Sequence, residues 1–505
     1  MTADKNVPRP PGMRATAAEA GTARLGANIG ADGGAHRPYF RLLSPVILAA
    51  LLAVGGCAST HAIAPKEALP TAATVAKRLD LQPTPSTSLP SARWWTRYGD
   101  AQLTHWIDLG LADSPDLHMA QARLARARAE IASANAASTP TLAIDGNSIA
   151  QRYSSTGIFP PPFGGMIHTV NTLGLDSAWD FDFSGHIADQ VDAARWRAQA
   201  QVARRDLARA QLAAGIAHAY FTLAREQAVR RILLQTEEAR RHTLQLVKLR
   251  LRAGLDTQVQ RHLATVPVPV IREEIAEADE RIALARHALA VLAGQAPQAA
   301  DHVDARLPAG PALNPPAALP FDLLSRRPDI AAAQARARAA LRDVDAARAA
   351  FYPDVSLSAL VGINSMTTQS FFQYASRIWQ VGPAIHLPIF EGGALRANLR
   401  ASSADADAAI DDYNATVLGA AREVADTLTS IGSVRQQREQ QAQATKNALA
   451  AYELARIRFR AGLGDRLAVL NAQEAVLRQR SAALDLRSRA AALDVTLALA
   501  LGGGY

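Results

Sequence analysis

Three aspartates lie on one side of a strand-like segment, residues 171–183. Asp176, Asp180 and Asp182 occupy even-numbered positions there. The odd-numbered positions carry mostly large apolar side chains, namely Leu173, Leu175, Trp179, Phe181 and Phe183. Because strand side chains alternate between two faces, the pattern predicts a strand with one apolar face and one acidic, wet face. A single acid is often merely solvated, but three on one face favour the lining of a water-filled lumen.

Two further aspartates follow turns of identical sequence. Asp256 comes directly after Arg252–Leu255, and Asp465 comes shortly after Arg460–Leu463, both of which read Arg-Ala-Gly-Leu. Glycine accepts the positive φ with which many helices end, so each turn predicts a helix end. If several copies of the chain surrounded an axis, these carboxylates would form rings around it. Such rings would favour the passage of cations and could gate a pore through their charge. A solvated turn acid or a helix N-cap is the alternative interpretation.

Cys57, the single cysteine, lies where a lipid would be attached. Two arginines precede the short apolar run Leu42–Val54, and two glycines come directly before the cysteine. This order is typical of a secretory signal, and cysteine after the cleavage point resembles the bacterial lipobox. We therefore expect N-acyl and diacylglycerol groups on Cys57, and Ala58 predicts sorting to the outer membrane. A signal peptide that happens to contain a cysteine is the alternative.

Motifs of enzymatic chemistry are missing from the sequence. It contains no phosphate-binding loop, no HExxH and no nucleophile elbow. Its 12 histidines lack ligand spacing, and 5 methionines are few for a copper or silver exporter. The pI near 9.8 suggests nucleic acid, but the basic residues alternate with acids and form no stripe with stacking aromatics. We therefore expect no catalytic residue, no metal, no cofactor besides the lipid and no nucleic-acid partner.

The chain contains one structural unit twice. Pro115–Leu117 is echoed by Pro328–Ile330, and the first Arg-Ala-Gly-Leu turn is echoed by the second at a similar separation. A period of this length is too long for a solenoid, so a duplicated domain is predicted. The expected divisions are a leader and lipoprotein signal at 1–56, a lipid anchor and Pro-rich tether at 57–92, a first repeat at 93–300, a linker at 301–320 and a second repeat at 321–505.

Each repeat is expected to hold two strands and two long helices. The expected strands are 141–153, 171–183, 354–367 and 377–390. The expected helices are 186–252, 256–293, 394–461 and 465–501. Pro267 and Pro269 should kink the second of these helices. The longest helices would extend roughly 100 Å at about 1.5 Å per residue.

Four strands per chain are too few to close a barrel, since small transmembrane barrels need about eight. An open sheet edge is not tolerated in lipid, and helices of this length need lateral neighbours. The four strands and the long helices of one chain therefore favour a cyclic oligomer. It would have a short β-barrel in the outer membrane and a long helical tube in the periplasm.

Several motifs occur in a set order between residues 57 and 505. They are Trp94-Trp95-x-x-Tyr98-Gly99-Asp100, Leu324-x-x-Arg327-Pro328-Asp329-Ile330, Phe351-Tyr352-Pro353, Leu387-Pro388-Ile389-Phe390-x-Gly392-Gly393 and Arg460-Ala461-Gly462-Leu463. Together they resemble the outer membrane efflux protein family, the TolC-like, NodT-like lipoprotein channels of RND-type tripartite pumps. The resemblance implies a mainly α, duplicated fold that forms a homotrimer with a twelve-stranded barrel. It implies a passive exit duct for drugs or other small amphipathic compounds, joined through a periplasmic adaptor (membrane fusion protein) to an inner-membrane transporter.

The same resemblance assigns roles to the two turns. Both would lie at the periplasmic tip and dock the adaptor through Arg252, Gly254, Leu255, Arg460, Gly462 and Leu463, although a purely structural turn is the alternative. The gate would include Asp256, Asp465, Leu467 and Asn471. Asn471 stands where the family often has an acid, which leaves Leu467 as an apolar constriction. Gly254–Val259 resembles the branch that serves fusaric-acid exporters.

Two other functions remain open at the level of sequence. The same type of conduit would serve protein secretion, because the transporter selects the cargo. A lipid-anchored periplasmic coiled-coil protein without a pore would share the long helices and the lipobox, but it would not need four amphipathic strands.

Overall fold

A computed structural model describes residues 63–81, 90–310, 315–316 and 323–503. Its helices are α1 (Ala72–Arg78), α2 (Ala101–Asp113), α3 (Pro115–Ala136), α4 (His186–Arg252), α5 (Gln258–Thr265), α6 (Pro267–Leu292), α7 (Leu323–Arg326), α8 (Pro328–Ala349), α9 (Ala394–Arg460) and α10 (Arg466–Ala500). Its strands are β1 (Thr141–Arg152), β2 (Ile167–Phe181), β3 (Asp354–Ser365) and β4 (Arg377–His386). The predicted signal peptide and Cys57 lie outside the described residues.

The four strands form one antiparallel sheet in the order β1-β2-β3-β4. The register places Asp176 of β2 between Ala143 of β1 and Leu360 of β3. Each repeat supplies one hairpin, and the two hairpins pair through β2 and β3. Strands β1 and β4 are therefore the two edges of a sheet that does not close among the described residues.

The strand bounds differ from the expected ones at several ends. Strand β2 begins at Ile167, ahead of the expected 171, and ends at Phe181. Strand β4 ends at His386 rather than 390, because Pro388 has no N–H to donate to a ladder. Strand β3 ends at Ser365, whose hydroxyl accepts a hydrogen bond from the N–H of Thr367 at 3.1 Å and turns the chain.

Helices α4 and α9 have 67 residues each and begin at the same point of the two repeats. Each follows a glycine in the left-handed region, Gly185 or Gly393, and neither contains a proline. At about 1.5 Å per residue each helix extends roughly 100 Å. Helix α4 packs against α3 and α6 of its own repeat and against α8 and α10 of the other repeat.

The helices that return from the far end of α4 and α9 are not equivalent. The expected helix 256–293 is divided into α5 and α6, with Val266 between them. Pro267 opens α6, and because it lacks an N–H it breaks the hydrogen-bond ladder at that point. The helix is thus interrupted at Pro267, one of the two prolines expected to kink it, whereas Pro269 lies in the first turn of α6, where no donor is needed. Helix α10 runs without interruption from Arg466 to Ala500.

The largest buried side chains lie where the two repeats meet, midway along the long helices. They include Trp94, Trp95, Tyr220 and Tyr413, so the tryptophan pair is part of the packed core. No helix within the described ranges is long and apolar enough to cross a membrane.

The segment expected to be an extended tether packs on the body where it is described. Val75 of α1 is fully buried in the main core. The N–H groups of Lys66 and Glu67 both donate to Asp407 of α9, at 2.8 and 3.0 Å. Proline-rich composition predicted the irregular backbone here, but it did not reveal that three apolar side chains, Leu69, Val75 and Leu79, meet the core.

Candidate functional site

The two Arg-Ala-Gly-Leu turns have the same geometry at the ends of α4 and α9. The N–H of Leu255 donates to the carbonyl of Arg250 at 2.8 Å, and the N–H of Leu463 donates to the carbonyl of Arg458 at 2.8 Å. Gly254 and Gly462 have φ of 70° and 71°. This six-to-one hydrogen bond with a left-handed glycine is the Schellman helix end, which satisfies the last carbonyls of each helix.

Asp256 is held by an arginine that precedes its turn. Its carboxylate accepts a hydrogen bond from Nε of Arg250 at 2.8 Å, and its side chain is only 16% exposed. The hydrogen bond and charge of Asp256, together with the charge of Asp465, raise the pKa of Arg250. Arg250 therefore connects the two turns electrostatically. Arg250 was not among the site residues predicted from the sequence, although an arginine and an aspartate that flank a helix-ending glycine are a readable signal.

Asp465 is the N-cap of α10. Its carboxylate accepts a hydrogen bond from the N–H of Ala468 at 2.7 Å, and the side chain is otherwise exposed. The predicted gate residues Leu467 and Asn471 lie on the following two turns of α10, half-buried and exposed respectively. The cap is the alternative that the sequence left open for this aspartate. A cap of this kind leaves one carboxylate oxygen directed away from the helix for another ligand.

The tip of the molecule, defined by the two turns and the helices that flank them, carries exposed charged and apolar groups. Arg252 and Arg460 are exposed, and Leu255 and Leu463 are 66% and 70% exposed. Other large apolar side chains are exposed close to them in the sequence, namely Leu249, Val259, Leu263, Val266, Leu454 and Ile457. An apolar surface of this kind with a charged rim is typical of a protein interaction site.

Two of the three predicted lumen acids lie on one face of the sheet. Asp176 and Asp180 are separated by an even number of positions on β2, so their side chains lie on the same face. The register puts Asp145 of β1 and Asp354 of β3 on that face as well. We call this the acidic face. In the four strands, the acidic face contains no arginine or lysine.

Asp182 lies just beyond β2 and has a different position. Its two carboxylate oxygens accept hydrogen bonds from the N–H groups of Ile187 and Ala188 at 3.1 and 2.7 Å. It therefore caps the start of α4, which the alternation of residues could not indicate because the cap depends on the turn through Gly185.

The opposite face of the sheet is mainly apolar, with Asn171, Arg152 and Arg377 toward the end that is remote from the helices, and we call it the apolar face. Its large apolar side chains are Leu142, Ile144, Ile167, Leu173, Leu175, Trp179, Phe181, Val355, Leu357, Val361, Ile363, Trp379, Val381 and Ile385. Several of them are more than half exposed in the single chain, among them Ile144 and Trp379. Because an apolar sheet face of this size is not left in water, the sheet must face lipid or another apolar surface.

A group of buried charges was not anticipated from the sequence. Glu226 of α4 is buried between Arg225 and Arg281 of α6, with Nε of Arg281 2.9 Å from its carboxylate. Arg225 also donates two hydrogen bonds to Asp485 of α10, at 3.0 and 2.7 Å. This network ties α10 of the second repeat to two helices of the first. Among the described residues there is no cluster of His, Cys, Asp and Glu that would hold a metal.

The acidic face and the tip lie at opposite ends of the long helices, so the predicted site residues form two regions rather than one. A duplicated hairpin-and-helix unit with an apolar and an acidic sheet face defines a channel protein of the outer membrane. The chain belongs to the outer membrane efflux protein family, whose sequence model matches residues 106–295 and 319–503.

Relatives and solved structures cover most of the chain. The multidrug resistance outer membrane protein MdtP of Escherichia coli strain K12 is 31% identical, over 93% of this chain and 98% of MdtP. The structure of the outer membrane protein VceC from Vibrio cholerae is 35% identical with a TM-score of 0.74, covering 82% of this chain and 99% of VceC. The outer-membrane channel OprN is 28% identical with a TM-score of 0.75, covering 88% of this chain and 97% of OprN.

These similarities confirm the predicted family, the duplicated TolC-like fold and the outer-membrane location. The roles of individual tip, gate and lumen residues stay predictions. So does the fusaric-acid branch suggested by Gly254–Val259.

Proposed function

We propose that this chain is the exit duct of a tripartite efflux pump. It passes drugs or other small amphipathic compounds from the periplasm to the exterior without a catalytic step of its own. The observation that carries the proposal is the four-stranded sheet, which has one acidic and one apolar face and is joined to helices of roughly 100 Å. The names of the multidrug resistance relatives support the cargo class.

The duct is a homotrimer. Edges β1 and β4 of one sheet have no partner strand within the described chain, and lipid does not tolerate unpaired backbone groups. Three copies would pair these edges in turn and close twelve strands, which is enough for a barrel with a wet interior. The acidic face would then line the lumen, and the apolar face would contact lipid.

The tip docks the periplasmic adaptor, which links the duct to an inner-membrane transporter. Exposed Leu255 and Leu463 would supply apolar contact, and Arg252 and Arg460 would supply charge. The left-handed Gly254 and Gly462 shape the two turns alike, so one adaptor surface could recognise both.

The entrance is narrowed by residues next to the same turns. Three copies of Asp256, Asp465 and Leu467 would surround the axis, and uncharged Asn471 would lie above them. The bond between Arg250 and Asp256 would restrain the entrance in one conformation.

A lipid anchor on Cys57 holds the N-terminus at the outer membrane. The proposed groups are an N-acyl chain and a diacylglycerol, and no other cofactor is required. Because a single acyl chain gives only marginal membrane binding, the combination provides stable anchoring.

Single-channel conductance of the detergent-extracted protein, with cross-linking for stoichiometry, tests the duct. We expect a trimer that passes cation-preferring current, and we expect Leu467→Ala to enlarge the current by widening the entrance. If only the wild-type protein passed no current, the entrance would be closed in that protein. A folded trimer that stays silent with Leu467→Ala and also with Asp256→Ala would overturn the duct in favour of a coiled-coil protein without a pore.

A further inference from the structure

The loop between β1 and β2, residues 153–166, is folded into a compact unit that we call the outer loop. The N–H of Tyr153 donates to the carbonyl of Met166 at 3.1 Å, and the N–H of Gly165 donates back to the carbonyl of Tyr153 at 2.9 Å. The N–H of Phe163 donates to the carbonyl of Pro160 at 3.1 Å. A Cβ at Gly164 would lie 2.6 Å from the carbonyl oxygen of Phe159. The loop backbone is therefore closely packed on itself.

This packing gathers four aromatic rings, which we call the aromatic cluster. The ring centroids of Tyr153 and Phe159 are 4.7 Å apart, and those of Phe163 and His168 are 5.5 Å apart. The rings of Tyr153 and His168 complete the cluster at 5.9 Å. Nε2 of His168 is buried and has no hydrogen-bond partner among the described residues. Phe159 and Phe163 remain partly exposed, so the cluster presents aromatic surface to a ligand.

The aromatic cluster lies on the acidic face of the sheet. His168 is separated from Asp176 by an even number of positions along β2, so both side chains lie on one face. His168 pairs with Gln151, and Tyr153, which directly follows β1, brings its ring to 5.9 Å from that of His168. Phe159 and Phe163 therefore fold over the acidic face, at the end of the sheet that is remote from the helices.

The loop between β3 and β4 is built differently. There, the guanidinium carbon of Arg377 lies 3.3 Å from the ring centroid of Tyr374. Arg377 pairs with Ile363, which places it on the apolar face. Phe372 and Tyr374 are highly exposed and belong to no cluster on the acidic face. The aromatic cluster is thus a feature of one hairpin and not a general property of the loops.

The charges along the acidic face favour a cationic ligand, and the nearest of them, Asp145 and Asp176, lie six and eight positions along their strands from Gln151 and His168, roughly 20–26 Å away at about 3.3 Å per residue. Asp145, Asp176, Asp180 and Asp354 lie on the same face, and the strands supply no arginine or lysine there. Aromatic faces attract organic cations through cation–π interactions and bind flat rings by stacking. The carboxylates would draw positively charged compounds along the lumen, and the aromatic rings at its end would bind those that are flat.

We propose that the aromatic cluster is a binding site for flat organic cations at the outer mouth of the duct. Phe159 and Phe163, which are partly exposed, stack on the ligand, and Tyr153 and His168 support them from behind. The site rests on the proposed function, because that function makes the acidic face the lumen. Three copies of the outer loop would narrow the mouth and give exported cations a last binding step before release.

Binding of ethidium, a flat fluorescent cation, to the detergent-extracted full-length protein tests the site by fluorescence anisotropy. We expect Phe159→Ala with Phe163→Ala to weaken binding about tenfold, since stacking on one or two rings is lost. The matched control, Phe372→Ala with Tyr374→Ala, should bind as the unchanged protein does. Phe159→Tyr with Phe163→Tyr should restore binding if the rings act by stacking.

Three results would overturn the site. They are equal ethidium binding after loss of both phenylalanines, an equal loss in the control, and equally tight binding of the anionic dye anilinonaphthalene sulfonate. None of these requires an open entrance, so a failure of the site is distinct from a failure of the duct. A trimer that conducts but binds ethidium without regard to the outer loop would keep the proposed function and remove this inference.

Discussion

At the scale of single residues, Arg327 shows how one side chain joins three helices of the second repeat, α8, α9 and α10. Its guanidinium donates two hydrogen bonds to Asp329, at 3.0 and 2.7 Å, and one to Glu423 at 2.7 Å. It also donates to the carbonyl of Ala500 at 3.0 Å. The side chain is 10% exposed. Burial opposes the charge, but the two carboxylates outweigh it and raise the pKa of Arg327.

Replacing Arg327→Ala should lower the free energy of unfolding by about 3 kcal/mol, because two carboxylates and a carbonyl lose their buried donor. Arg327→Lys should recover only part of the lost free energy of unfolding, since an ammonium group cannot form the bidentate interaction with Asp329. Thermal denaturation followed by circular dichroism measures the change. Arg126→Ala is the control, because its ion pair with Glu130 is exposed and should contribute less than about 1 kcal/mol. Equal effects at both positions would contradict a structural role for Arg327.

At the scale of elements, four helix ends share one conformation but differ in their surroundings. Gly254, Gly462, Gly294 and Gly502 all have φ between 70° and 76°. A Cβ at Gly254 or Gly462 would meet no atom within 4 Å. A Cβ at Gly294 would lie 2.7 Å from the carbonyl oxygen of Asp113, and one at Gly502 would lie 2.4 Å from that of Arg326.

Alanine at Gly254 or Gly462 should therefore cost about 1 kcal/mol, the cost of the left-handed backbone alone. Alanine at Gly294 or Gly502 should cost about 1–3 kcal/mol more, because backbone atoms must move apart. Denaturation midpoints of the four single variants check the order. If the variants at Gly254 and Gly462 were less stable than those at Gly294 and Gly502, the close packing around Gly294 and Gly502 would not determine the cost of substitution. The tip variants also leave the fold intact for adaptor-binding measurements.

At the scale of the whole molecule, the sheet distinguishes a membrane barrel from a soluble sheet. Ile144 and Asp145 are neighbours on β1 and are both exposed in the single chain, on opposite faces. In a trimeric barrel, Ile144→Arg would place a charge in lipid and cost about 2–4 kcal/mol near the bilayer midplane. Asp145→Arg would face the lumen, so it should permit assembly and reduce the preference for cations.

The amount of trimer in isolated outer membranes, with the reversal potential of the reconstituted channel, measures both effects. Wild-type protein and Asp145→Asn serve as controls, since the latter removes charge without introducing a cation. Equal assembly of the two arginine variants would show that the apolar face does not contact lipid.

The amino-acid sequence by itself determined the secondary-structure elements of this protein. Hydrophobic periods of two and 3.6 residues depend only on local geometry, so they identified the strands and the long helices around Arg252 and Arg460. Glycine at the helix ends and Pro267 at the kink act through their own backbones and were equally readable. The ion pair between Arg327 and Asp329, which are two residues apart, is a contact of the same local kind.

Only the tertiary structure decided what these parts contact. Glu423 and the carbonyl of Ala500 reach Arg327 from distant parts of the chain, and no local pattern encodes such a meeting. The capping role of Asp182 and the placement of Phe159 and Phe163 over the acidic face depend on how turns direct the chain in space. The register of β2 against β3 joined the two repeats into one sheet, because pairing across nearly two hundred residues is selected by packing and not by sequence neighbours.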